Sequence, residues 1–196
     1  AGESLAVMGP SGSGKSTLLH CMSGVLTPDS GEVVFDGTNI AALDDAARSK
    51  LRLNHFGFIF QDGQLLPELT ATENVALPQI MRGTSRKEAH EQADDMLTRL
   101  GLGNFTNRFP GQLSGGQAQR VAIARALAGP PKVVFADEPT AALDQATGHE
   151  VMQEIVAVAQ KFGVTLVLVT HDPKIAAWCN RRIEIRDGLI HSEVAA

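Results

Sequence analysis

Residues 9 to 17, GPSGSGKST, place glycine, hydroxyl and lysine groups at a spacing that suits phosphate binding. The stretch fits the pattern GxxxxGK[ST], in which glycines let successive backbone N–H groups converge on phosphate oxygens. Lys15 reaches the β and γ phosphates, the Ser16 hydroxyl can ligate Mg²⁺, and Thr17 is placed toward the α phosphate. A turn rich in Gly and Ser can match by chance, but here an apolar strand precedes it and an apolar helix follows, as the motif requires. The predicted phosphate site comprises Gly9, Pro10, Ser11, Gly12, Ser13, Gly14, Lys15, Ser16 and Thr17.

Two carboxylates and a histidine follow other apolar runs. KVVFADEP, residues 132 to 139, ends in Asp137 and Glu138, and VTLVLVT, residues 164 to 170, leads directly to His171. Asp137 could hold Mg²⁺ through water, and Glu138 could polarise an attacking water. An acidic pair at a strand end is common, and His171 alone would favour a structural role. Ligands of open α/β sheets bind at the carboxyl edge, however, so their shared edge with the phosphate loop favours a functional role for all three residues.

A second turn, LSGGQAQR at residues 113 to 120, also has the features of a phosphate-binding turn at the start of a helix. Its Ser-Gly-Gly could equally be a tight turn and an N-cap, so both interpretations stay open. Arg120 and Arg125 follow in an otherwise apolar helix. They either point toward this turn or are surface charges.

The order of apolar runs predicts the elements that position these residues. Short runs at 4 to 8, 56 to 60, 132 to 136 and 164 to 170 alternate with helical segments, which is typical of a mostly parallel sheet covered on both faces, and so of an α/β fold. A clear helix follows residue 145, and Gly163 is placed to end it. The terminal segment RRIEIRDGLIHSEV has an Asp-Gly turn between two strand-like runs, which predicts a hairpin.

Residues 62 to 110 contain no buried-strand run, and two stretches of this region have helical patterns. Ser85 with Glu88 predicts a capping box at the second. We therefore expect one domain over 1–196, with a core at 1–61 and 119–196 and a helical subdomain at 62–118 that carries the second turn.

Net charge, the length of the apolar runs and the cysteine spacing argue against several classes of function. The net charge is −5, which offers no basic field for nucleic acid. The longest apolar run, at residues 164 to 169, is too short to cross a bilayer, and no leader-like stretch begins the sequence. Cys21 and Cys179 are too far apart in sequence, and too isolated from other ligands, to suggest a disulfide framework or a metal site.

Together these motifs resemble the ATPase subunits, or nucleotide-binding domains, of ABC transporters. The resemblance covers nearly the whole chain and rests on six motifs in order: residues 9 to 17, Gln61 after FGFIF, LSGGQ at 113 to 117, VVFADE at 133 to 138, AALD at 141 to 144, and His171. It implies a P-loop NTPase with a mostly parallel core sheet flanked by helices, together with an inserted α-helical subdomain. The implied activity is ATP hydrolysis that powers transport, with ATP and Mg²⁺ as cofactors.

The resemblance also implies roles for individual residues. Glu138 is similar to the general base, and His171 to the switch that holds the γ phosphate. Gln61 resembles the loop glutamine that contacts Mg²⁺ and the attacking water, so the implied metal ligands are Ser16, Gln61 and Asp137. The family works as a homodimer or pseudo-dimer packed head to tail. Ser114, Gly115 and Gly116 of one chain, in a motif that also includes Gln117, would cap the γ phosphate held by the other. Asp144 would lie in the loop that contacts the opposite chain.

The stretch FGFIFQDGQLLPELTATENVALPQIMRG looks most like the subgroup that contains lipoprotein-releasing and macrolide-export systems and the related cell-division ATPase. That likeness implies an integral membrane permease as partner, no nucleic acid, and a cytoplasmic location at the inner face of the cell membrane. Leu65, Leu66 and Leu69 either form an apolar docking patch for a short permease helix or pack under the helical subdomain. Family members carry antiparallel strands and an adenine-stacking aromatic before the phosphate loop, so we expect an N-terminally truncated version without that aromatic.

Two rivals remain. A non-transport ABC protein could act as a mechanical clamp in cell division, chromosome maintenance, repair or translation, although no heptads or Cys pairs separate Lys15 from Ser114. A P-loop kinase would pass phosphate to a small acceptor, and LSGGQ argues against it.

Overall fold

The structure is a computed structural model, and it describes residues 1 to 195. The strands are β1 (Ser4–Met8), β2 (Val34–Phe35), β3 (Thr38–Asn39), β4 (Phe56–Ile59), β5 (Val133–Asp137), β6 (Thr165–Val169), β7 (Arg181–Arg186) and β8 (Leu189–Ala195). The helices are α1 (Lys15–Met22), α2 (Asp45–His55), α3 (Ala71–Met81), α4 (Arg86–Arg99), α5 (Gly115–Leu127), α6 (Gln145–Phe162) and α7 (Pro173–Ala176). Short 3-10 turns lie at Ile40–Ala42, Gly103–Phe105 and Pro110–Gln112.

A six-stranded sheet in the order β4-β5-β6-β1-β7-β8 forms the centre of the molecule. Its strands are parallel except for β8, which pairs antiparallel with β7 as the predicted terminal hairpin. In register, Val7 of β1 lies opposite Val169 of β6, and Asp137 of β5 lies opposite Val169 as well. The ends of β1, β5 and β6 therefore meet at one edge, and the α/β fold is confirmed.

Both faces of this sheet are apolar because both are covered. Ala6 and Leu168 face a core shared with α3, α4, α5 and α6, and their neighbours Val7 and Val169 face the opposite core with Leu19 of α1. The alternation along each strand sends successive side chains to opposite faces, and each face has its own buried cluster. This double burial is the reason that the core strands are continuous apolar runs in the sequence.

The region between β4 and β5 is helical, as predicted, and packs on the first of these cores. Thr70 and Glu73 form a reciprocal capping box at the start of α3. The capping box expected at α4 is only half formed: Ser85 Oγ accepts the N–H of Glu88, but the Glu88 carboxylate accepts the Gln92 amide at 3.2 Å. Two donors compete for the Glu88 carboxylate, the backbone N–H of Ser85 and the side-chain amide of Gln92 one turn along the helix. The carboxylate accepts from the amide.

The helix α5 runs without interruption from Gly115 to Leu127 and so continues through the expected boundary between residues 118 and 119. The division into 1–61, 62–118 and 119–196 stays a prediction. Gly163 ends α6 in the left-handed conformation, with φ of 63°, as its position after the apolar pattern predicts. Within residues 1 to 195, no helix combines the length and the apolar composition needed to cross a bilayer.

Candidate active site

The loop that joins β1 to α1 has backbone geometry that only glycine tolerates. At Gly9, φ is 147°, and a Cβ would lie 2.1 Å from the carbonyl oxygen of Ile185 and 2.8 Å from Ser13 Oγ. Gly12 and Gly14 have φ of 80° and 96°, and Gly14 is the N-cap of α1. The loop therefore turns directly into a helix start, where unpaired N–H groups and the helix dipole favour an anion.

Lys15 is held in place by the backbone of its own loop. The residue is only 8% exposed, and its Nζ donates to the carbonyl oxygens of Gly9 at 3.0 Å and Pro10 at 2.9 Å. Among residues 1 to 195, no carboxylate forms an ion pair with it. A cation paired only with carbonyls at a helix start is arranged to receive phosphate.

Ser16 and Asp137 bring two oxygen ligands together across the sheet edge. Ser16 Oγ donates to Asp137 Oδ1 at 3.2 Å, although the two residues are 121 positions apart. One hydroxyl and one carboxylate suit Mg²⁺, which keeps waters and takes phosphate oxygens as further ligands. The donor set therefore fits a magnesium ion that arrives with a nucleotide.

Glu138 and His171 form a contact at the same edge. Glu138 Oε1 lies 2.8 Å from His171 Nδ1, and the Glu138 N–H donates to the carbonyl of Val169 at 3.0 Å. Glu138 has φ of 46°, in the left-handed region that costs a residue with a side chain about 1–3 kcal/mol. Backbone strain of this kind clusters at functional sites, and here it presents a carboxylate that is 19% exposed.

One cavity of about 620 Å³ joins nine of the predicted site residues. Its walls come from the phosphate loop and from three other segments, and they are Ser11, Gly12, Gly14, Lys15, Ser16, Thr17, Gln61, Glu138, Ala141, Val169 and His171. Ser13 is buried, and Asp137 accepts a hydrogen bond from Ser16, which lines the cavity. The predicted meeting of four segments at one sheet edge is thus seen in the geometry, and the role of each residue stays a prediction.

The second turn does not line this cavity. Ser114 is the N-cap of α5 in a reciprocal capping box: its Oγ accepts the Gln117 N–H at 3.3 Å, and its own N–H donates to Gln117 Oε1 at 2.9 Å. A Cβ on Gly116 would lie 2.6 Å from Thr147 Cγ2, so the turn packs closely against the start of α6. The N-cap interpretation describes the single chain, and it leaves the predicted phosphate role to a second chain.

Asp144 also lies outside the main cavity. Its carboxylate caps α6 by accepting from Thr147 and Ala146, and these hydrogen bonds hold the pKa of Asp144 below its ordinary value. The residue lines a neighbouring cavity of about 370 Å³ that shares Glu138 and His171 with the first.

Neither arginine of α5 has its hydrogen-bond partners in the Ser-Gly-Gly of the second turn. Arg120 pairs with Glu150 at 2.9 Å and Glu154 at 3.1 Å on α6. Arg125 donates to the carbonyl oxygens of Gly63 and Gln64, both at 2.7 Å, in the loop that carries Gln61. The contacts match neither alternative fully, since Arg120 ties α5 to α6 and Arg125 ties α5 to the Gln61 loop.

The leucines after Gln61 divide between the two alternatives. Leu66 is 43% exposed, whereas Leu65 and Leu69 are half-buried and Leu65 packs against the core. A concave, mostly apolar groove adjoins the same loop, and its walls come from β4, α3 and the end of α5. This groove holds about 350 Å³ and is lined by Val25, Arg52, Leu53, Phe56, Gly57, Phe58, Phe60, Gln64, Pro78, Arg82, Arg125 and Ala126.

Comparisons with known proteins agree with this geometry. Residues 1–141 match the family model described as ABC transporter. The lipoprotein-releasing system ATP-binding protein LolD of Shewanella frigidimarina is 49% identical over 96% of this chain and 79% of its own length. The macrolide export ATP-binding/permease protein MacB 2 of Aeromonas hydrophila is 47% identical over 98% of this chain and 30% of its own length. A dimeric post-hydrolysis ATP-binding cassette bound to ADP and Pi superimposes with a TM-score of 0.91 at 44% identity, over 99% of this chain and 85% of that one.

Proposed function

The chain belongs to the ABC transporter family and is an ATP-binding and ATP-hydrolysing cassette, and from this premise we propose that it powers a transporter through ATP-driven head-to-tail dimerisation coupled to a membrane permease. One observation carries the proposal. The phosphate loop, Gln61, Glu138 and His171 share a cavity, whereas the LSGGQ turn of the same chain lies elsewhere.

Within one chain, each group has a chemical task that its position supports. Lys15 and the loop N–H groups bind the phosphates, and Ser16, Gln61 and Asp137 would hold Mg²⁺, which neutralises charge on the phosphoryl oxygens when bound. Glu138 accepts a proton from the attacking water. His171 contacts Glu138 through Nδ1 and can orient both that carboxylate and the γ phosphate.

A second chain supplies the other half of the site. The Ser114 hydroxyl is occupied by the N–H of Gln117, so the remaining donors at the start of α5 are the N–H groups of Gly115 and Gly116. These donors stabilise phosphate charge only when a partner closes on them, which makes ATP an interfacial ligand. The dimeric cassette bound to ADP and Pi supports this arrangement. Hydrolysis would then release the interface.

The groove beside β4 is the surface that we assign to the permease. Phe56, Phe58 and Val25 contribute apolar surface, and Arg82 and Arg52 lie among the charged groups of its lining. An apolar groove lined with cations complements a short amphipathic helix that carries an acidic side chain. The permease fused to the cassette in the MacB 2 relative supports a partner of this kind. Docking there would place the cassette at the inner face of the cell membrane. A permease partner of this kind also agrees with the proposed likeness to lipoprotein-releasing and macrolide-export systems.

Two matched variants test the docking. Val25, 48% exposed, lines the groove, and Val34, 61% exposed, lies on β2 away from it. The tagged cassette is purified from its own membranes and the copurifying proteins are identified by mass spectrometry. We expect an integral membrane protein with the unchanged chain and with Val34→Asp, and its loss with Val25→Asp, while both variants keep the ATPase rate of the isolated cassette. Retention of the membrane protein by Val25→Asp, or copurification of DNA or ribosomes alone, would contradict the proposal.

A further inference from the structure

The loop that carries Gln61 is attached to α5 at both ends. Before Gln61, Gln119 Nε2 donates to the carbonyl oxygen of Phe60 at 3.0 Å. After it, the two terminal nitrogens of Arg125 donate to successive carbonyls, those of Gly63 and Gln64, each at 2.7 Å. The side chains of one helix thus hold the backbone on either side of a predicted site residue.

The two side chains that hold the loop are shielded from water, Gln119 fully and Arg125 in part. Gln119 is 3% exposed, and burial lowers the pKa of the Arg125 guanidinium. Within the described part of the chain, none of the ion pairs includes Arg125. The two loop carbonyls are therefore the groups that compensate its positive charge. A half-buried cation whose charge is met by two carbonyls holds them in position, because losing either bond leaves part of its charge less well compensated.

The loop backbone requires such support. Gly63 and Gln64 have φ of 71° and 43°, so two consecutive residues are left-handed and one of them carries a side chain. Left-handed conformations at residues with a side chain persist only where the surroundings impose them. Upstream, a Cβ on Gly57 would lie 2.3 Å from the carbonyl oxygen of Ala126, which means that β4 and α5 are in backbone contact just before the loop begins.

We infer that Gln119 and Arg125 are positioning residues that fix Gln61 at the nucleotide, an inference that rests on the proposed role of Gln61 in catalysis. This clamp, formed by Gln119 and Arg125, also connects the surface offered to a partner chain with the groove assigned to the permease. Its helix begins at Gly115, directly after the N-cap Ser114, so the N–H donors offered to a partner chain and the side chains that place Gln61 belong to one helix. Arg125 and Gln64 line the groove assigned to the permease, so a docked helix would contact the clamp directly.

The first variant is Arg125→Lys, which keeps the charge but loses the planar pair of donors. Because a displacement of about 1 Å at a reacting group costs about 100-fold in rate, we expect kcat to fall by roughly 10- to 100-fold with KM for ATP within about twofold. The matched control is Arg120→Lys, five residues earlier on the same helix, whose partners lie on α6. Its kcat should equal that of the unchanged chain, and thermal melting confirms that both variants fold.

A double-mutant cycle separates positioning from general damage. In chains that carry Gln61→Ala, Arg125→Lys should cause no further loss of kcat, since the residue through which it acts is gone. Hydrogen exchange of the amides around residues 61 to 64 should also quicken in Arg125→Lys alone. Equal losses in both backgrounds would overturn the inference. Unchanged kcat in Gln61→Ala itself would instead refute the catalytic role of Gln61 and, with it, the clamp. If Arg125→Lys does not fold, Gln119→Met removes the bond at the other end of the loop, and the same cycle applies.

Discussion

Replacement of Glu138 by glutamine is the sharpest chemical perturbation that the structure offers. The amide has almost the same shape as the carboxylate. In the unchanged chain His171 Nδ1 lies 2.8 Å from Glu138 Oε1, and the amide oxygen of glutamine can still accept a hydrogen bond there. The strained backbone at φ of 46° need not change either. What the variant loses is the ability to take a proton from water. General bases contribute about 10²- to 10⁴-fold, so we expect kcat to fall by that factor, which corresponds to about 3–5 kcal/mol of barrier.

The assay is phosphate release under saturating ATP, together with the affinity for ATP and the size of the particle in its presence. We expect an unchanged dissociation constant and a persistent ATP-bound dimer for Glu138→Gln. The companion variant Glu138→Asp retains the charge but withdraws the carboxylate by about one bond length, and misplacement on that scale costs about 100-fold. A kcat for Glu138→Gln within about tenfold of the unchanged chain would refute the assignment of the base.

Other perturbations test the remaining parts of the site. Ser114→Arg should abolish turnover while the isolated monomer binds nucleotide as before, and loss of monomer binding would show that this turn serves its own chain. Gly9→Ala should abolish ATP binding and lower the melting temperature, because its Cβ would lie 2.1 Å from the Ile185 carbonyl oxygen; normal binding measured by calorimetry would contradict the backbone argument. Chelation of Mg²⁺ should stop phosphate release, with recovery on adding Mg²⁺ back, and full activity in the chelator would refute a metal role. Burial raises the pKa of Cys179 to about 11, so at pH 8 iodoacetamide should label this thiol only after unfolding, whereas the half-buried Cys21 should react in the native protein; mass spectrometry distinguishes the two.

The sheet and the edge where the site lies were predictable because both follow from local patterns. A strand buried on two faces must be apolar throughout, as in VVFAD of β5, and parallel strands bring their carboxyl ends to one edge. The phosphate loop was predictable because the adjacent sequence shows the flanking elements that the motif requires, a strand before Gly9 and a helix after Gly14. The chemistry-bearing residues were found because they follow such strands directly.

What the sequence did not reveal depends on distant partners. Nothing near Arg125 indicates that two carbonyls some 60 residues earlier are its acceptors, at separations of 61 and 62 positions. The available sign was an arginine in an otherwise apolar helix, and the sequence offered only two interpretations for it, a position near the LSGGQ turn or a surface charge. The left-handed backbone of Glu138 is likewise imposed by the packed strand ends rather than by its own identity. At α4, the expected bond from the Glu88 carboxylate to the start of the helix is replaced by a bond from the neighbouring Gln92 amide.

Complementation between two inactive chains tests the central claim most directly. Lys15→Met removes the phosphate-binding cation, and Ser114→Arg blocks the second turn. In a head-to-tail dimer of one chain of each kind, one site contains both defects and the other site contains neither. Equal mixing makes about half of the dimers mixed, so turnover should recover to about one quarter of that of the unchanged chain. Turnover no greater than the sum of the two variants measured separately would contradict the claim that each ATP is held between two chains.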